Sequence, residues 1–204
     1  MRYICIAALL LGCQPQADRA IAEGAEATAQ AERVVSTGDR GNCGTDAPPM
    51  LSGVGVGELR VGRPAAQIAA RCIVLADTVA PGPEALPERV MSLLVAGTDT
   101  VRATIVNDSV WRLQLESTGI RTVDSLGIGS SLADLLRSGR GRAIGVEGEG
   151  QLFVLLERHC GVSFRVALEI GVKQHRAEWS AVDLAGLDGA ARVDQLLVVG
   201  CRMR

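Results

Sequence analysis

"GELRVGRPAAQIAARC", residues 57–72, is the stretch from which we predict the fold, because a close variant, "DSLGIGSSLADLLRSG", follows at residues 124–139. In each stretch a short apolar phrase ends in a glycine, Gly62 or Gly129, and residues that start a helix come next. Such a recurrence indicates a repeated unit rather than a unique binding loop. We therefore predict two copies of one small unit; the alternative is one α+β domain in which the glycine phrase recurs by coincidence.

Each copy is predicted to begin with a short helix and to continue with three strands. Pro64, whose fixed φ suits the first helical turn, opens the first helix, which leads to Cys72. Ser130 or Ser131 caps the second helix, and Gly139 ends it. Apolar and polar residues alternate along several of the strands, which is typical of an antiparallel sheet with one covered face. The predicted strands are residues 89–95, 100–106 and 110–115 in the first copy and residues 151–157, 162–168 and 193–199 in the second.

The predicted fold class is α+β, with two tandem α-β-β-β units, residues 50–116 and 117–204, whose short helices pack on antiparallel sheet. A glycine phrase followed by a helix and three antiparallel strands resembles the unit of the β-lactamase-inhibitor-protein fold, and small outer-membrane assembly lipoproteins use a related single unit. Residues 62–64 and 129–131 stand where those families have Gly-Met-Thr, although neither copy has the Met-Thr pair. The resemblance implies the fold and favours binding over catalysis.

The first thirteen residues, "MRYICIAALLLGC", have the pattern of an export signal. One cation, Arg2, precedes an unbroken apolar run that as a helix would be about 15 Å long, half the thickness of a bilayer core. Leu10–Cys13 resembles the lipobox of bacterial lipoproteins, which implies a signal peptide over residues 1–12 and acylation of Cys13. An ordinary secretory signal with another cleavage site is the alternative.

Residues 13–49 are predicted to form a lipid-anchored, flexible tether, because they are rich in alanine and glutamate and contain few large apolar residues. Gln14, where an aspartate would favour the inner membrane, indicates the outer membrane, with the folded part facing the periplasm. The predicted partners are the lipid bilayer, through acylated Cys13, and an unknown envelope protein.

The charge pattern does not indicate a nucleic-acid surface. The formal net charge is −2, and Lys173 is the only lysine, so almost all cations are arginines. Together with abundant alanine, glycine and valine, this looks like a coding bias, and no long basic run is present. We therefore expect no nucleic-acid partner.

Four cysteines remain when Cys5 leaves with the signal and Cys13 is acylated. An even number in an exported chain indicates two disulfides, for which three connectivities are possible. We favour the pairs in which each bond joins the ends of one predicted copy: Cys43 with Cys72, and Cys160 with Cys201. No Cys-x-x-Cys pair occurs and the chain has two histidines, so neither a metal site nor another cofactor is expected.

His159 beside Cys160 is the arrangement closest to a thiol nucleophile and its base. Neighbours along a strand point to opposite faces, whereas a catalytic base must reach across from another element, so a disulfide is the better interpretation of Cys160. His175 lies in the polar phrase "KQHR" and is interpreted as a solvated loop residue.

Two pairs of carboxylates and three glycine strings were the other candidates for chemistry. The pairs are Glu147 with Glu149 and Asp99 with Asp108, and both are placed on turns, without the aromatic platforms of sugar sites. The strings "GVGVG", "GRGRAIG" and "GVEGEG" lack the Gly-Lys-Ser/Thr ending of a phosphate-binding loop and are interpreted as turns and caps. We assign no catalytic residue.

Trp179 and three arginines are the predicted candidates for partner contact. Arg137, Arg140 and Arg142 cluster where the second helix ends, and either hold an anion or offset the helix dipole as solvated cations. Trp111 is placed in the core because of its alternating strand. The sequence thus predicts a non-catalytic envelope lipoprotein, a protein-binding or structural module; the alternative is a periplasmic inhibitor or small-ligand carrier of the same fold, and an enzyme is the third choice.

Overall fold

The computed structural model describes residue 43 and residues 49–82, 86–140, 142–148, 151–168 and 177–201. The predicted signal peptide, Cys13, nearly all of the tether and His175 lie outside the described residues. Every described residue belongs to one compact unit, residues 32–204. Among the described residues, no helix is long and apolar enough to cross a membrane.

The described part of the chain is mostly β-structure, with three short α-helices. A small sheet holds β1 (Leu51–Ser52), β2 (Gly55–Val56) and β3 (Leu59–Arg60). The helices are α1 (Ala65–Arg71), α2 (Leu132–Gly139) and α3 (Ala181–Ala185), and a 3-10 turn spans Glu157–His159. The strands of the main sheet are β4 (Ile73–Pro81), β5 (Pro87–Val95), β6 (Asp99–Val106), β7 (Ser109–Leu115), β8 (Ala143–Gly148), β9 (Gln151–Leu156), β10 (Val162–Val166), β11 (Glu178–Trp179) and β12 (Val193–Val198).

The main sheet is antiparallel and has nine strands in the order β11-β8-β9-β10-β12-β7-β6-β5-β4. After α1, strands β4 to β7 run in chain order from one edge to the centre. After α2, strands β8, β9, β10 and β12 run in chain order to the centre from the other side, and the short strand β11 lies outside β8 at that edge. The last strands of the two sets, β7 and β12, pair there, with Leu115 opposite Leu196 and Leu113 opposite Val198. One continuous sheet therefore joins both halves of the folded chain.

The core lies between one face of this sheet and the helices. Side chains alternate along the strands, so that Leu152, Val154 and Leu156 of β9 are buried while Leu155 is exposed. Helix α2 contributes Leu132 and Leu135, which are fully buried, and both α2 and α3 pack against β8. The opposite face carries no helix in the part of the chain that the structure describes, and we call it the open face.

The structure contains all six predicted strands and both predicted helices, within a few residues of the expected bounds. It also contains strands that the sequence did not predict: the two-residue strands β1, β2, β3 and β11, and the longer strands β4 and β8. With β4 and β8, four strands of five or more residues rather than three follow each of the helices α1 and α2. In β4 the register shifts at Leu75, and this bulge breaks the alternation that marks a strand.

The interpretation of "GRGRAIG" and "GVEGEG" as turns and caps is right for Gly139 and Arg140, which end α2, and wrong for residues 143–148, which form β8. A Cβ on Gly145 would lie 2.8 Å from Leu184, 2.8 Å from Trp179 and 3.1 Å from Leu152. Glycine is therefore required here by the packing of α3 and β11 on the sheet, and not by a turn.

The connections that precede α1 and α2 make the same hydrogen bonds. Gly62 N donates to Val110 O at 2.8 Å, and Gly129 N donates to Val193 O at 2.8 Å. Both glycines have φ of 84°, a conformation that side-chain-bearing residues rarely adopt. The repeated glycine motif therefore has a structural role. It links the start of α1 to β7 and the start of α2 to β12, the last main-sheet strand of each half.

The last strand of each half carries an extra residue at the same place. In the β6–β7 ladder, Thr104 pairs with Arg112 and Ile105 with Val110, so Trp111 is the extra residue. The β10–β12 ladder shifts in the same way, and Asp194 is the extra residue there.

Two disulfides join the pairs that the sequence favoured. Cys43 is bonded to Cys72 ahead of β4, and Cys160 is bonded to Cys201 after β12. Disulfides form and persist in oxidising compartments, which indicates that the folded part lies outside the cytoplasm.

Candidate functional site

The open face of the sheet holds a shallow groove with a volume of about 570 Å³. Its lining comes from β4 to β7 and from β9, β10 and β12, so it crosses most of the sheet and both halves of the fold. The side chains that line the groove alternate along each strand with side chains that are buried in the core. The alternation of side chains along the strands therefore places all of the lining residues on the open face.

Some arginines along the groove are paired with a carboxylate, and one is not. Arg112 forms an ion pair with Glu88 at 3.1 Å, and Arg165 binds Asp194 through two hydrogen bonds of 2.7 and 3.0 Å. The side chain of Arg102 is exposed and forms no hydrogen bond or ion pair with any residue that the structure describes. It is therefore the cation of the groove whose charge is left for a ligand.

Glutamine side chains line the middle of the groove, and each is held in place by a hydrogen bond to a neighbouring charged side chain. Gln114 and Gln195 both donate to Glu116 Oε1, at 2.8 and 3.1 Å. Gln151 accepts a hydrogen bond from Arg165 at 3.0 Å. This part of the face is polar, ordered by its own contacts and able to exchange hydrogen bonds with a polypeptide.

Four apolar side chains form a patch at the β8–β9 end of the open face, and we call them the apolar quartet: Ile144, Val146, Phe153 and Leu155. Ile144 lies directly opposite Leu155, and Val146 directly opposite Phe153. Ile144, Val146 and Leu155 are 46, 39 and 37 % exposed. Apolar residues grouped on a surface are a common mark of an interface.

The three arginines predicted as partner contacts all lie at the carboxyl end of α2, as expected from their spacing. Arg137 forms an ion pair with Asp134 at 2.7 Å, and Arg142 pairs with Glu157 at 2.7 Å. Arg140 ends the helix in the left-handed conformation with φ of 50°. Two of the three charges are thus met within the chain, which fits the solvated helix end better than an anion site.

The two tryptophans are placed the opposite way round from their predictions. Trp179, expected at a partner contact, is 2 % exposed, because β11 carries it beneath α3 against Gly145. Trp111, expected in the core, is 45 % exposed, because it is the extra residue of the β7 bulge and loses the strand's alternation. Trp179 is therefore a core residue in the folded unit.

A polar cluster around Asp124 was not predicted from the sequence. The carboxylate accepts hydrogen bonds from Thr122 Oγ1 at 2.8 Å and from Ser138 Oγ, and its Oδ1 lies 2.8 Å from His159 Nε2. The His159 ring is 9 % exposed, and its Nε2 lies close to this carboxylate without the alignment of a hydrogen bond. Arg158 adds a longer ion pair at 3.5 Å.

The electrostatics of the cluster favour an ionised Asp124. Burial by itself raises the pKa of this carboxyl, but the hydroxyls of Ser138 and Thr122 and the imidazole of His159 outweigh burial and hold the pKa well below its ordinary value of 3.8. No local sequence pattern connects these residues, since they come from a turn, from α2 and from the 3-10 turn.

The order of the groups in this cluster does not activate a nucleophile. In a serine hydrolase the hydroxyl donates to the histidine, and the carboxylate holds the other side of the ring. Here Asp124 lies between Ser138 and His159, so the serine hydroxyl donates to an acid and not to a base. Cys160, next in the chain, is bonded to Cys201 and carries no thiol.

The predicted carboxylate pairs are not brought together as a catalytic pair. Asp99 begins β6 and Asp108 follows its end, so the strand separates them by about 25 Å at the usual rise per residue. Glu147 lies on β8, while Glu149 lies outside the described residues. Within the described ranges, no three His, Cys, Asp or Glu side chains are arranged to hold a metal ion.

Comparisons with known proteins show a related fold. The structure is similar to the crystal structure of the uncharacterized protein YfeY from Escherichia coli, with a TM-score of 0.52 and 17 % sequence identity over 74 % of this chain and 99 % of that chain. No protein-family model and no curated protein matches the sequence.

Proposed function

We propose that this protein is a non-catalytic lipoprotein of the bacterial envelope whose folded part binds another envelope protein through the open face of its sheet. Residues 1–12 act as the signal peptide, and acylated Cys13 anchors residues 13–49 as a tether to the outer membrane, on its periplasmic side. The lipobox-like sequence supports the anchor, and the two disulfides agree with an oxidising periplasm.

We further propose that the folded part arose by duplication of one unit, residues 50–116 and 117–204. The matching hydrogen bonds of Gly62 and Gly129 support this, as do the matching bulges at Trp111 and Asp194. The sheet order supports it too, because β7 and β12, the last strands of the two halves, pair at the centre of the sheet. The repeating unit then has four strands, not the predicted three, after its helix, and the short strand β11 belongs to the second copy alone.

The observation that carries the binding role is the open face itself. It combines ordered amides, one arginine that pairs with no described side chain and the apolar quartet, the mixture of polar and apolar anchors that protein interfaces use. The groove is shallow and crosses seven strands, whereas sites for small ligands enclose most of their ligand's surface. The inhibitor or small-ligand carrier thus remains the second candidate, with a groove of about 570 Å³ in its favour.

The anchor is tested by fractionating cells that express the full chain or its Cys13→Ser variant. We expect the wild-type protein in the outer membrane, with an acylated amino terminus by mass spectrometry, and the variant released from it. Cys5→Ser, inside the signal, is the matched control and should leave acylation unchanged. An unmodified mature amino terminus, or membrane attachment of the Cys13→Ser protein, would overturn the proposal.

The binding role is tested by purifying the lipidated full chain from chemically cross-linked envelopes. We expect an envelope protein in stoichiometric amounts, lost when Arg102 and Val146 on the open face are both changed to aspartate. A soluble hydrolase at the same stoichiometry would favour the inhibitor. A small molecule that co-purifies in place of a protein would favour the carrier.

A further inference from the structure

The apolar quartet has counterparts in the first half of the sheet that are smaller or more polar. Following the cross-strand pairs outward from the matched bulges, Ile144 corresponds to Ala76, Leu155 to Ser92, Val146 to Thr78 and Phe153 to Val90. The same backbone positions thus carry Ala, Ser, Thr and Val in one half and Ile, Leu, Val and Phe in the other.

This difference shows that the fold does not require large apolar side chains at these four positions. In both halves these positions lie in antiparallel ladders, so strand formation does not need large apolar residues at these open-face positions. Exposed apolar side chains also carry a cost in solubility. The quartet is therefore a feature of one half alone, and binding is the role that accounts for it.

A single row of directly opposed residues leads from the quartet to Arg102. From Ile144 and Leu155 it passes through Ser163, Leu197 and Gln114 and reaches Arg102 on β6. One end of the row is apolar, the middle holds the polar residues Ser163 and Gln114 on either side of Leu197, and the other end is a cation without a partner among the described residues. Four strand spacings separate Leu155 from Arg102, which is about 19 Å.

We infer that the open face binds an amphipathic helix of a partner protein, lying across the strands along this row. Its apolar side chains lie on the quartet, and a carboxylate about 13 residues away along the helix meets Arg102, because 19 Å corresponds to about that length of α-helix. Polar side chains of the helix between these two contacts match Ser163 and Gln114 of the row better than an acyl chain would. This inference rests on the proposed function and names the part of the open face that selects the partner.

The test places a photo-cross-linking amino acid at Val146, or at its counterpart Thr78, in the full lipidated chain in cells. We expect one protein adduct from position 146 and none from position 78. The partner identified from that adduct is then purified and titrated with the variants Val146→Asp, Arg102→Glu and Thr78→Asp. Leu155→Ser serves as a second quartet variant should Val146→Asp lower the melting temperature.

We expect Val146→Asp and Arg102→Glu each to weaken binding at least tenfold, and Thr78→Asp to change it less than twofold. Replacing the partner's acidic residue by lysine should restore binding to Arg102→Glu and weaken binding to the wild type. Adducts from positions 146 and 78 alike, or an unchanged affinity for Arg102→Glu, would overturn the inference. An adduct with the mass of two copies of this chain would overturn it in favour of a dimer.

The outcomes also separate this inference from the function on which it rests. An adduct from Ser92, on the open face of the first half, with none from Val146 would overturn the quartet as the anchor and leave the open face as a binding surface. The absence of a protein adduct from every open-face position would overturn both.

Discussion

Replacing Asp124 by alanine should destabilise the fold more than removal of any exposed carboxylate. The change removes the acceptor of hydrogen bonds from Thr122 and Ser138 and leaves His159, which is 9 % exposed, beside an apolar methyl group. Hydrogen bonds to a charged group contribute about 1.5 to 3 kcal/mol each, and a buried polar group left without a partner costs about 1 to 3 kcal/mol.

These contributions do not add in full, because the Asp124 side chain is 23 % exposed and water can replace part of what is lost. We therefore expect a loss of about 3 kcal/mol in the free energy of unfolding at pH 7. For a domain of this size, the melting temperature should fall by about 6 to 12 °C. Urea unfolding followed by circular dichroism measures the first quantity, and calorimetry measures the second.

Glu157→Ala is the matched control for this prediction. Glu157 lies in the same region and pairs with Arg142, but the two side chains are 63 and 73 % exposed. Exposed ion pairs contribute between about 0 and 1 kcal/mol, so the control should lose less than about 1 kcal/mol. Equal losses for the two variants would refute the role given to the buried cluster.

The stabilisation by Asp124 should depend on pH in one direction. Its pKa in the folded protein is lower than in the unfolded chain, so ionised Asp124 stabilises the fold fully above about pH 5 and progressively less as the pH falls below the unfolded value of about 3.9. The difference in stability between wild type and Asp124→Asn should therefore shrink between pH 5 and pH 2.5. A difference that grows on acidification over this range would contradict the assignment.

Three further changes test the fold itself. Gly53→Ala should cost at least about 2 kcal/mol, because the new Cβ would lie 1.8 Å from the Cys160 carbonyl oxygen and the backbone must shift; an unchanged urea midpoint would contradict this packing. Ser131→Ala should cost about 1 kcal/mol, because its hydroxyl accepts from Asp134 N at 3.1 Å. The same variant should raise the pKa of Asp134 from about 2, since hydrogen bonds from Ser131 are the main cause of that low value; an NMR titration that shows no rise would contradict it. Changing both Cys160 and Cys201 to serine opens a loop with a sequence separation of 41 and should cost about 4 kcal/mol; non-reducing peptide mapping should recover this bond in the wild type, and a Cys160 peptide linked to Cys43 would refute the pairing.

Much of the local structure could be predicted because it depends on neighbours in the chain. The glycine phrase and its caps identified α1 and α2, and alternation of apolar and polar residues identified six strands. Two of the strands that were missed, β4 and β8, show where such patterns fail. Leu75 interrupts β4 as a bulge, and Gly145 in β8 is present because three side chains fill the space of its Cβ.

The disulfide pairs could be chosen from the sequence because each bond closes one half of the chain. The tryptophans could not be placed in that way. Whether Trp111 or Trp179 is buried depends on a bulge in one case and on the packing of α3 and β11 in the other. The bulge and the packing are both features of the tertiary structure, and the type of side chain alone does not predict them.

The sequence by itself determined the two short helices, most strands of an antiparallel sheet and the four cysteines of an oxidised fold, because each follows from composition or from a period of a few residues. Only the tertiary structure decided that β7 pairs with β12, that Asp124 meets His159, and that a row of open-face residues joins Ile144 to Arg102. These neighbours are far apart in the chain, and strand pairing together with core packing brings them together. The candidate binding surface is made entirely of such neighbours, and for that reason it became visible only in the folded protein.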